Sequence, residues 1–343
     1  MIRVGIIGAG FVGRNHFNQY EKMKDRAAVV ALCDKVAERR AGDWSKVMGN
    51  LADARGTKRD LGHIRPYVNW EDLLADPEVE LIDICAPTFV HREMAIAALA
   101  AGKHVLCEKP MALTVEDCDA MLAAARQAKG RFMIAQCVRF WPEYVYLKAA
   151  VDDERFGRLR ALELRRVAGV PDHTLANWVM RPELSGGALL DLHVHDVDFA
   201  LYLFGKPAHV VAQGYLRGGG SMDRVHAQWF YPGVERVTQL VGAWDLPAGY
   251  PFNMGFTAVF DQAVVLFDMY PSTPLTVLRE RERPERVDLV AEEAYYAEIE
   301  HLVACIERGC NPTVTTPRES RDAVAIALAE KESALSGQAV HVT

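Results

Sequence analysis

The stretch that decides the fold is Ile2–Gly13, which reads IRVGIIGAGFVG. Ile2 to Ile7 is a short run rich in β-branched residues, as expected of a buried parallel strand. A glycine-rich turn over residues 8–13 follows at once, and a helical pattern then runs from Arg14 to about Lys24. Strand, glycine turn and helix in this order predict the dinucleotide-binding unit of a doubly wound parallel sheet.

Each residue of the turn has an expected role in binding NAD. Gly8 permits a tight turn, Gly10 leaves room for a pyrophosphate, and Gly13 lets the helix pack closely on the strand. Phe11 and Val12 complete the turn. The helix that follows offers unpaired N–H groups and the positive end of its dipole to the phosphates. The turn therefore predicts a cofactor site.

A second feature supports NAD as the cofactor. The next strand pattern, Ala28–Cys33, ends in Asp34, which lies 34 − 13 = 21 residues after Gly13. An acidic residue at this place is expected to accept hydrogen bonds from the adenosine ribose hydroxyls. The competing interpretation of Asp34 is a helix N-cap. NADP remains the alternative cofactor, because three cations that follow could hold its 2′-phosphate: Lys35, Arg39 and Arg40.

Strand and helix patterns alternate up to residue 138, and short strand patterns joined by brief turns dominate the rest. Alternation of this kind predicts an α/β fold with a parallel sheet that presents ligands at the carboxyl ends of its strands. A length of 343 residues suggests two domains. We expect a dinucleotide-binding Rossmann domain over residues 1–138 and a substrate-binding α/β domain over residues 139–343.

Composition excludes several classes of partner. The chain has 39 Lys and Arg against 46 Asp and Glu, a formal net charge of −7, which argues against nucleic acid. No apolar run approaches the length of a membrane span, and the N-terminus lacks a secretory pattern. The seven cysteines form no CxxC pair, as expected of reduced thiols. A cytoplasmic protein is therefore expected.

The segment Glu108-Lys109-Pro110 follows the strand pattern that begins at His104. Functional side chains of an open α/β sheet lie at such strand ends. Lys109 could bind a substrate hydroxyl, or act as an acid or base if burial lowers its pKa. The alternative is a solvated lysine beside a proline that sets a turn.

A second candidate constellation lies in the sequence SGGALLDLHVHDVD, residues 185–198, which continues as an apolar helix to Phe204. On a helix Asp191 and His195 are four residues apart and share one face. A carboxylate beside an imidazole suits a proton shuttle. The alternative for His195 is a histidine satisfied within the core.

The same segment offers a possible metal cluster, made of Asp191, His193, His195 and Asp198. On a helix, however, His193 and His195 point about 200° apart and cannot share an ion. We therefore predict no metal.

Several of these segments together resemble the Gfo/Idh/MocA family of oxidoreductases. They are the glycine turn with Asp34, APTFVH at residues 86–91, AGKHVLCEKPMA at 101–112 and GGALLDLHVHDVDFALYLFG at 186–205. The resemblance implies a Rossmann domain followed by a domain with a large open, mostly antiparallel sheet. That sheet commonly mediates oligomers, so a homodimer or homotetramer is expected. The implied reaction is NAD(P)-dependent hydride transfer to or from a secondary alcohol of a sugar, cyclitol or other polyol.

The resemblance also assigns catalytic roles. Lys109 matches the family's catalytic lysine, which touches both substrate and cofactor, with Glu108 beside it. Asp191 and His195 match the family's acid and histidine. His195 would accept the hydroxyl proton, while Lys109 and Asp191 orient the substrate.

Further binding residues follow from the same matches. Pro87, Thr88 and His91 match the turn that borders the nicotinamide ribose. Arg139 and Trp178 match residues near the substrate. The chain departs from the family at two places: His193 stands where glycine is usual, and Cys137 stands in a segment that usually carries asparagine. We expect His193 to add a substrate contact, whereas Cys137 leaves the local cofactor contact undefined.

Two alternative functions remain at this point. The chain could retain NAD and use transient oxidation for epimerisation or glycoside cleavage. It could instead be a non-catalytic, dinucleotide-dependent regulator. The presence of Lys109, Asp191 and His195 argues against a regulator, because a sensor needs no proton relay.

Overall fold

A computed structural model describes the following residues of the chain: 1–49, 56–171, 175–217, 220–290 and 292–342. Contacts divide the chain into two compact units. The first unit consists of Met1–Cys137 with Glu293–Arg321, and the second of Val138–Glu292 with Asp322–Thr343. None of the helices in the described ranges is both long and apolar enough to cross a membrane.

The α-helices in the described ranges, numbered in chain order, are α1 Phe11–Lys22, α2 Ala37–Arg40, α3 Trp70–Leu74, α4 His91–Ala100, α5 Val115–Gln127, α6 Pro142–Asp152, α7 Pro182–Ser185, α8 Val194–Phe204, α9 Ala294–Arg308 and α10 Pro317–Ser336. The strands are β1 Ile2–Ile7, β2 Ala27–Cys33, β3 Arg65–Tyr67, β4 Leu81–Ile84, β5 His104–Glu108, β6 Phe132–Ala135, β7 Leu159–Gly169, β8 His209–Arg217, β9 Ser221–Phe230, β10 Val237–Leu246, β11 Asn253–Phe260, β12 Val264–Asp268, β13 Thr273–Leu278, β14 Glu285–Arg286 and β15 Val340–His341.

The first unit contains, in the part of the chain that the structure describes, a six-stranded sheet in the order β3-β2-β1-β4-β5-β6. All its neighbouring strands run parallel. The strand order reverses between β1 and β4, and a doubly wound sheet binds its ligands at the carboxyl ends on either side of such a point. The predicted parallel, doubly wound sheet is confirmed.

Most local elements of this unit match their sequence patterns, with three differences. Helix α1 begins at Phe11, inside the glycine turn, because Gly10 already serves as its N-cap residue. The sequence pattern predicts a strand from Phe132 to Val138, but β6 ends at Ala135 and a 3₁₀ turn over Cys137–Phe140 follows. Strand β3 was not predicted, because its three residues include a proline.

The second half of the chain is not the continuous domain expected over residues 139–343. Helix α9 groups with the first unit, where its buried residues Ile299, Leu302 and Val303 join the apolar core formed around β1 and α1. An amphipathic helix goes to the apolar surface that it covers best, whatever its position along the chain.

The second unit contains, within its described residues, a nine-stranded sheet in the order β14-β13-β12-β11-β7-β10-β9-β8-β15. β7 and β10 are parallel neighbours, and the other neighbouring pairs are antiparallel. The predicted large, mostly antiparallel sheet is confirmed.

The two faces of this sheet differ in burial. One row of buried apolar side chains crosses five adjacent strands: Ala212, Ala227, Leu240, Leu164 and Phe256. The opposite face carries a row of exposed or half-exposed residues at the neighbouring positions: Val211, Gln228, Gln239, Glu163 and Thr257. Helix α8 packs against β7 and β10. Among the described residues, α8 thus covers one face of the sheet, and the opposite, open face is exposed or half-exposed along this row.

Candidate functional site

The glycine turn after β1 has the geometry that its sequence predicts. Gly8 has φ +98°, in the left-handed region that favours glycine, and a Cβ there would overlap the Cys85 carbonyl. A Cβ at Gly13 would overlap the carbonyl oxygen of Gly8. By contrast, the nearest atom to a Cβ at Gly10 would be Nη1 of Arg39, at 4.0 Å. The backbone geometry thus requires glycine at Gly8 and Gly13, whereas Gly10 borders open space.

The N-terminus of α1 adjoins that open space. Gly10 caps the helix without a side chain, and no acidic residue lies in the first turn. Phe11 and Val12, both half-buried, are its first two residues. Unpaired N–H groups of a 12-residue helix beside an open glycine fit the pyrophosphate of a dinucleotide.

Asp34 follows β2 and binds the turn directly. Its Oδ2 accepts a hydrogen bond of 2.8 Å from the amide of Ala9, and its Oδ1 accepts one of 2.8 Å from the amide of Val36. Nη1 of Arg39 lies 3.9 Å from Oδ2, and Arg40 donates to the Asp34 carbonyl oxygen at 2.6 Å. Both arginines are thus turned towards Asp34, whereas Lys35 is exposed.

His91 joins the loops that follow β4 and β5. Its Nδ1 lies 2.9 Å from the Pro110 carbonyl oxygen and its Nε2 lies 2.8 Å from that of Ala86. The ring is buried, as is Thr88, while Pro87 is half-buried at the start of a 3₁₀ turn. The sequence predicts that Pro87, Thr88 and His91 form the turn that borders the nicotinamide ribose. The buried ring of His91 shapes this turn and holds the Lys109–Pro110 segment, whose peptide bond is cis.

A buried polar cluster beneath these strand ends escaped the sequence reasoning. His16, on the inner face of α1, has its Nδ1 2.9 Å from Oδ2 of Asp83 and its Nε2 3.2 Å from Oε1 of Glu108. Neither His16 nor Asp83 has any exposed side-chain surface. The available signal was a carboxylate inside the apolar strand LIDI.

The ionisation of this cluster follows from its contacts. Desolvation by burial opposes a charge on His16, but its contacts with Cys85 and Asp83 outweigh it. The net effect raises the pKa of His16 well above its usual range. Burial also raises the pKa of the Cys85 thiol.

Asp191 and His195, in the second unit, are half-buried among buried neighbours. Gly186 and Gly187, with φ of +76° and +69°, lead into a turn of π-helix over Leu189–His193, and α8 follows directly. A π turn inside a helix often marks a functional site. The predicted helix to Phe204, ended by Gly205, is present, with the unpredicted π turn at its start.

His193 does not have the surface that a substrate contact requires. Its side chain has no exposed area, and its Nε2 lies 2.7 Å from Oε2 of Glu330. Oε1 of Glu330 accepts a hydrogen bond of 2.6 Å from the indole of Trp229. Its Cβ and ring lie against the backbone of β10, where Gly242 leaves room for them. The substrate role expected for His193 is therefore withdrawn, because a fully buried side chain cannot touch a ligand.

Arg139 is corrected for the same reason. Its guanidinium forms a bidentate pair with Asp198 that is fully buried, and it lies 4.4 Å from the ring centroid of Tyr202. This arrangement holds the turn after β6 to α8. Trp178 remains half-buried and packs against an apolar cluster that includes Leu192 and Trp244.

Two family models match the chain. One, described as an oxidoreductase family with an NAD-binding Rossmann fold, matches residues 2–136. The other, described as the Gfo/Idh/MocA C-terminal domain, matches residues 144–268. The first match confirms the predicted NAD-binding Rossmann domain.

Curated relatives include a 1,5-anhydro-D-fructose reductase from Ensifer adhaerens, 32% identical over 64% of this chain and 62% of its own length. A levoglucosan dehydrogenase from Pseudarthrobacter phenanthrenivorans is 31% identical over 60% of this chain and 52% of its own length. A myo-inositol 2-dehydrogenase from Thermotoga maritima is 30% identical over 61% of this chain and 57% of its own length. The matched part thus spans a little over half of the length of these relatives.

Solved structures match over nearly the whole chain. A levoglucosan dehydrogenase in complex with NADH and levoglucosan superposes with a TM-score of 0.84, at 22% identity, over 99% of both chains. A UDP-N-acetylglucosamine 3-dehydrogenase from Acidithiobacillus ferrooxidans gives a TM-score of 0.77, at 26% identity, over 98% of both. The likeness at 22% identity establishes a shared fold.

Proposed function

The chain belongs to the Gfo/Idh/MocA family of oxidoreductases, and on this premise we propose that it is an NAD-dependent dehydrogenase of a secondary alcohol. The proposed substrate is a sugar, a cyclitol or a related polyol. The names of the relatives support this class, since they include a reductase of an anhydro sugar and dehydrogenases of levoglucosan and inositol.

The observation that carries the proposal is the glycine turn. Gly10 opens onto free space at the N-terminus of α1, while Asp34 binds the backbone of the same turn through Ala9. These features fit a dinucleotide, and a carboxylate at the end of β2 favours the free ribose hydroxyls of NAD over a 2′-phosphate. Arg39 and Arg40 support the same preference, because each lies against a polar atom of Asp34.

We assign the chemical roles to Lys109, Asp191 and His195. The bound nicotinamide would accept the hydride that leaves the carbinol carbon. His195 would take the hydroxyl proton as a general base, and Asp191, four residues earlier, would favour the protonated ring that results. Lys109 would donate a hydrogen bond to the same hydroxyl oxygen and stabilise the negative charge that develops there.

The test is absorbance at 340 nm, with NAD⁺ and a panel of sugars, anhydro sugars and inositols. We expect NADH to form with at least one of them. Lys109→Ala and His195→Ala should each lower kcat by about 10²–10⁴, the range that general acid–base catalysis contributes. Wild-type turnover in both variants would refute the catalytic assignment. Tight NAD binding without NADH release across the panel would favour an enzyme that regenerates its cofactor, or a regulator.

We also propose that the open face of the large sheet forms a homo-oligomer interface. Four large exposed apolar residues lie on this face of β8, β9 and β10: Val211, Tyr215, Phe230 and Val237. Apolar patches of this kind commonly mark protein interfaces. Light scattering after size exclusion should show a dimer or tetramer that Val211→Glu weakens. Val68→Glu, at an exposed valine of the first unit, is the matched control. A monomeric wild type would refute the interface.

The proposed location is the cytoplasm. All seven cysteines are free thiols, and six of them are buried or half-buried. Reduced cysteines are typical of a compartment that keeps thiols reduced. Fractionation of the native host should recover the protein in the cytoplasmic fraction, and recovery from an oxidising compartment would contradict the proposal.

A further inference from the structure

We propose that His16 is a positioning residue that acts on Lys109 through the carboxylate of Glu108. This role rests on the proposed function, in which Lys109 is catalytic. His16 does not touch the substrate or cofactor, because its side chain has no exposed surface.

The contacts form a continuous chain from the core to the strand end. His16 Nδ1 lies 2.9 Å from Oδ2 of Asp83, which holds the ring from the side of β4. His16 Nε2 lies 3.2 Å from Oε1 of Glu108, the last residue of β5. The other oxygen of Glu108, Oε2, accepts a hydrogen bond of 3.2 Å from the amide of Lys109. The ring thus lies against the carboxylate that binds the Lys109 backbone, with Nε2 at ion-pair distance from it.

Packing alone does not explain this cluster. An apolar side chain at residue 16 would also cover β4 and β5, and buried ionic groups often stabilise a fold less than well-packed apolar groups do. The polar contacts add a preferred orientation of the Glu108 side chain, at the point where the polypeptide leaves strand β5. The His91 ring, 2.9 Å from the Pro110 carbonyl, fixes the same segment from the other side.

A bound metal is the competing explanation. Ligand atoms of His16, Asp83 and Cys85 lie within 4.8 Å of one another. The separation of 2.9 Å between Nδ1 of His16 and Oδ2 of Asp83 is that of a hydrogen bond, so a proton fits between them. Elemental analysis of the purified protein should find no stoichiometric zinc or other transition metal. One equivalent per chain would overturn the proposal.

Two substitutions of His16 distinguish the contact of its Nδ1 with Asp83 from the contact of its Nε2 with Glu108. The amide nitrogen of Gln reaches the place of Nε2, which lies 3.2 Å from Oε1 of Glu108, whereas that of Asn replaces Nδ1 and can donate only to Asp83. We expect His16→Gln to keep most of the turnover and His16→Asn to lower kcat about 10- to 100-fold, since a misplacement of about 1 Å can cost 10²-fold. The KM for NAD should change little in either.

The matched control is Gln19→Leu, which alters another buried polar residue of α1. Gln19 donates to Asn15 at 3.0 Å. A general loosening of the helix would lower kcat in this variant as well, whereas positioning through Glu108 predicts wild-type turnover. Thermal unfolding of each variant confirms that it is folded before its kinetics are compared.

A double-mutant cycle distinguishes this proposal from the proposed function. If His16 acts through Lys109, His16→Asn should have no further effect on kcat in a Lys109→Ala background. Normal turnover of Lys109→Ala would refute the catalytic role of Lys109 in the proposed function. Two results, each with impaired Lys109→Ala turnover, would overturn the role of His16 alone. One is an equal kcat in His16→Asn and His16→Gln; the other is a fully additive effect of His16→Asn and Lys109→Ala on kcat.

A measurement that needs no substrate completes the test. In protein labelled with ¹⁵N-histidine, His16 is identified by the ring signals that His16→Asn lacks. Both ring nitrogens face carboxylate oxygens, so both are expected to carry protons at neutral pH. A neutral ring, or a ring nitrogen with the shift of a metal ligand, would overturn the proposal.

Discussion

Arg139 and Asp198 form a bidentate ion pair in which neither side chain has any exposed surface. Nε of Arg139 donates to Oδ2 of Asp198, and Nη2 donates to Oδ1, both at 2.7 Å. The pair joins the 3₁₀ turn that follows β6 to the middle of α8. Arg139, which the sequence suggested as a substrate contact, is therefore a structural residue.

Removing one partner of this pair should destabilise the fold strongly. Arg139→Met leaves the Asp198 carboxylate buried and unpaired, at a cost of about 3–5 kcal/mol in the free energy of unfolding. Adding Asp198→Leu should recover part of the loss, because no uncompensated charge then remains. Urea unfolding measures both. Arg181→Met, which breaks an exposed pair with Glu183, is the control and should cause no measurable change. If Arg139→Met changed the free energy of unfolding only slightly and raised the KM for substrate, Arg139 would instead be a substrate contact.

Gly10 and Gly13 should separate cofactor binding from folding. Gly10 has φ −75°, and a Cβ there would meet open space, so Gly10→Ala should fold normally. It should still weaken NAD binding about tenfold or more, the equivalent of about 1.4 kcal/mol, since the methyl group occupies the place of the pyrophosphate. Gly13→Ala forces a Cβ into the Gly8 carbonyl and should lose about 1–3 kcal/mol of stability as well.

Calorimetric titration with NAD and thermal unfolding distinguish the two glycine variants. Unchanged NAD affinity in Gly10→Ala would place the pyrophosphate elsewhere. A Gly13→Ala variant as stable as the wild type would show that the helix can shift away from β1.

His193 and His195 should behave in opposite ways, although they are two residues apart. His193→Leu leaves the Glu330 carboxylate in the core with the Trp229 indole alone, so it should lower stability by about 3–5 kcal/mol. Its folded fraction should keep the wild-type KM for substrate. His195→Leu, at a half-buried position, should keep most of the stability and lose turnover. The reverse pattern would exchange the assigned roles.

Asp34 should set the preference for NAD. Asp34→Ala removes the carboxylate that binds Ala9 and Val36, and it leaves Arg39 without its opposite charge. NAD affinity should fall, and the ratio of NAD to NADP affinity should move towards NADP, because a free guanidinium can bind a 2′-phosphate. Glu38→Ala, an exposed change nearby, is the control. An unchanged ratio would assign the preference to other residues.

The stability contributed by His16 should depend on pH. Its pKa is raised in the folded protein, where burial is outweighed by the Cys85 and Asp83 contacts. The contribution is therefore fully present below the unfolded pKa of about 6.5 and lost as the pH rises through the higher folded pKa. The difference in Tm between the wild type and His16→Asn should shrink between about pH 6 and about pH 9. A difference that grows with pH would contradict a protonated ring.

The other groups around His16 come from every element packed against it: Asp83 and Cys85 at β4, Glu108 at β5, Tyr20 on α1 and Tyr295 on α9. Burial raises the pKa values of Cys85, Tyr20 and Tyr295, so these three stay neutral across this range. Asp83, which lies 2.9 Å from Nδ1 of His16, is among the contacts that raise the pKa of His16. The pH dependence can therefore be attributed to the imidazole.

The sequence by itself determined the local elements of the first unit and the place of its cofactor turn. Hydrophobic periodicity and glycine positions are set by neighbouring residues, so β1, α1 and the turn between them follow from residues 2–22 alone. The carboxyl end of β5 was also predictable, because a short apolar run ends there in Glu108-Lys109-Pro110. These are the parts of the proposed site that depend on local geometry.

Only the tertiary structure decided which polar residues meet. His16 pairs with Asp83, 67 residues away; Arg139 pairs with Asp198, 59 residues away; and His193 pairs with Glu330, 137 residues away. No local pattern specifies such pairs, because a buried charge takes whichever partner the packing of distant elements brings to it. For the same reason, His193 and Arg139 looked like ligand contacts in the sequence and prove to be parts of the core.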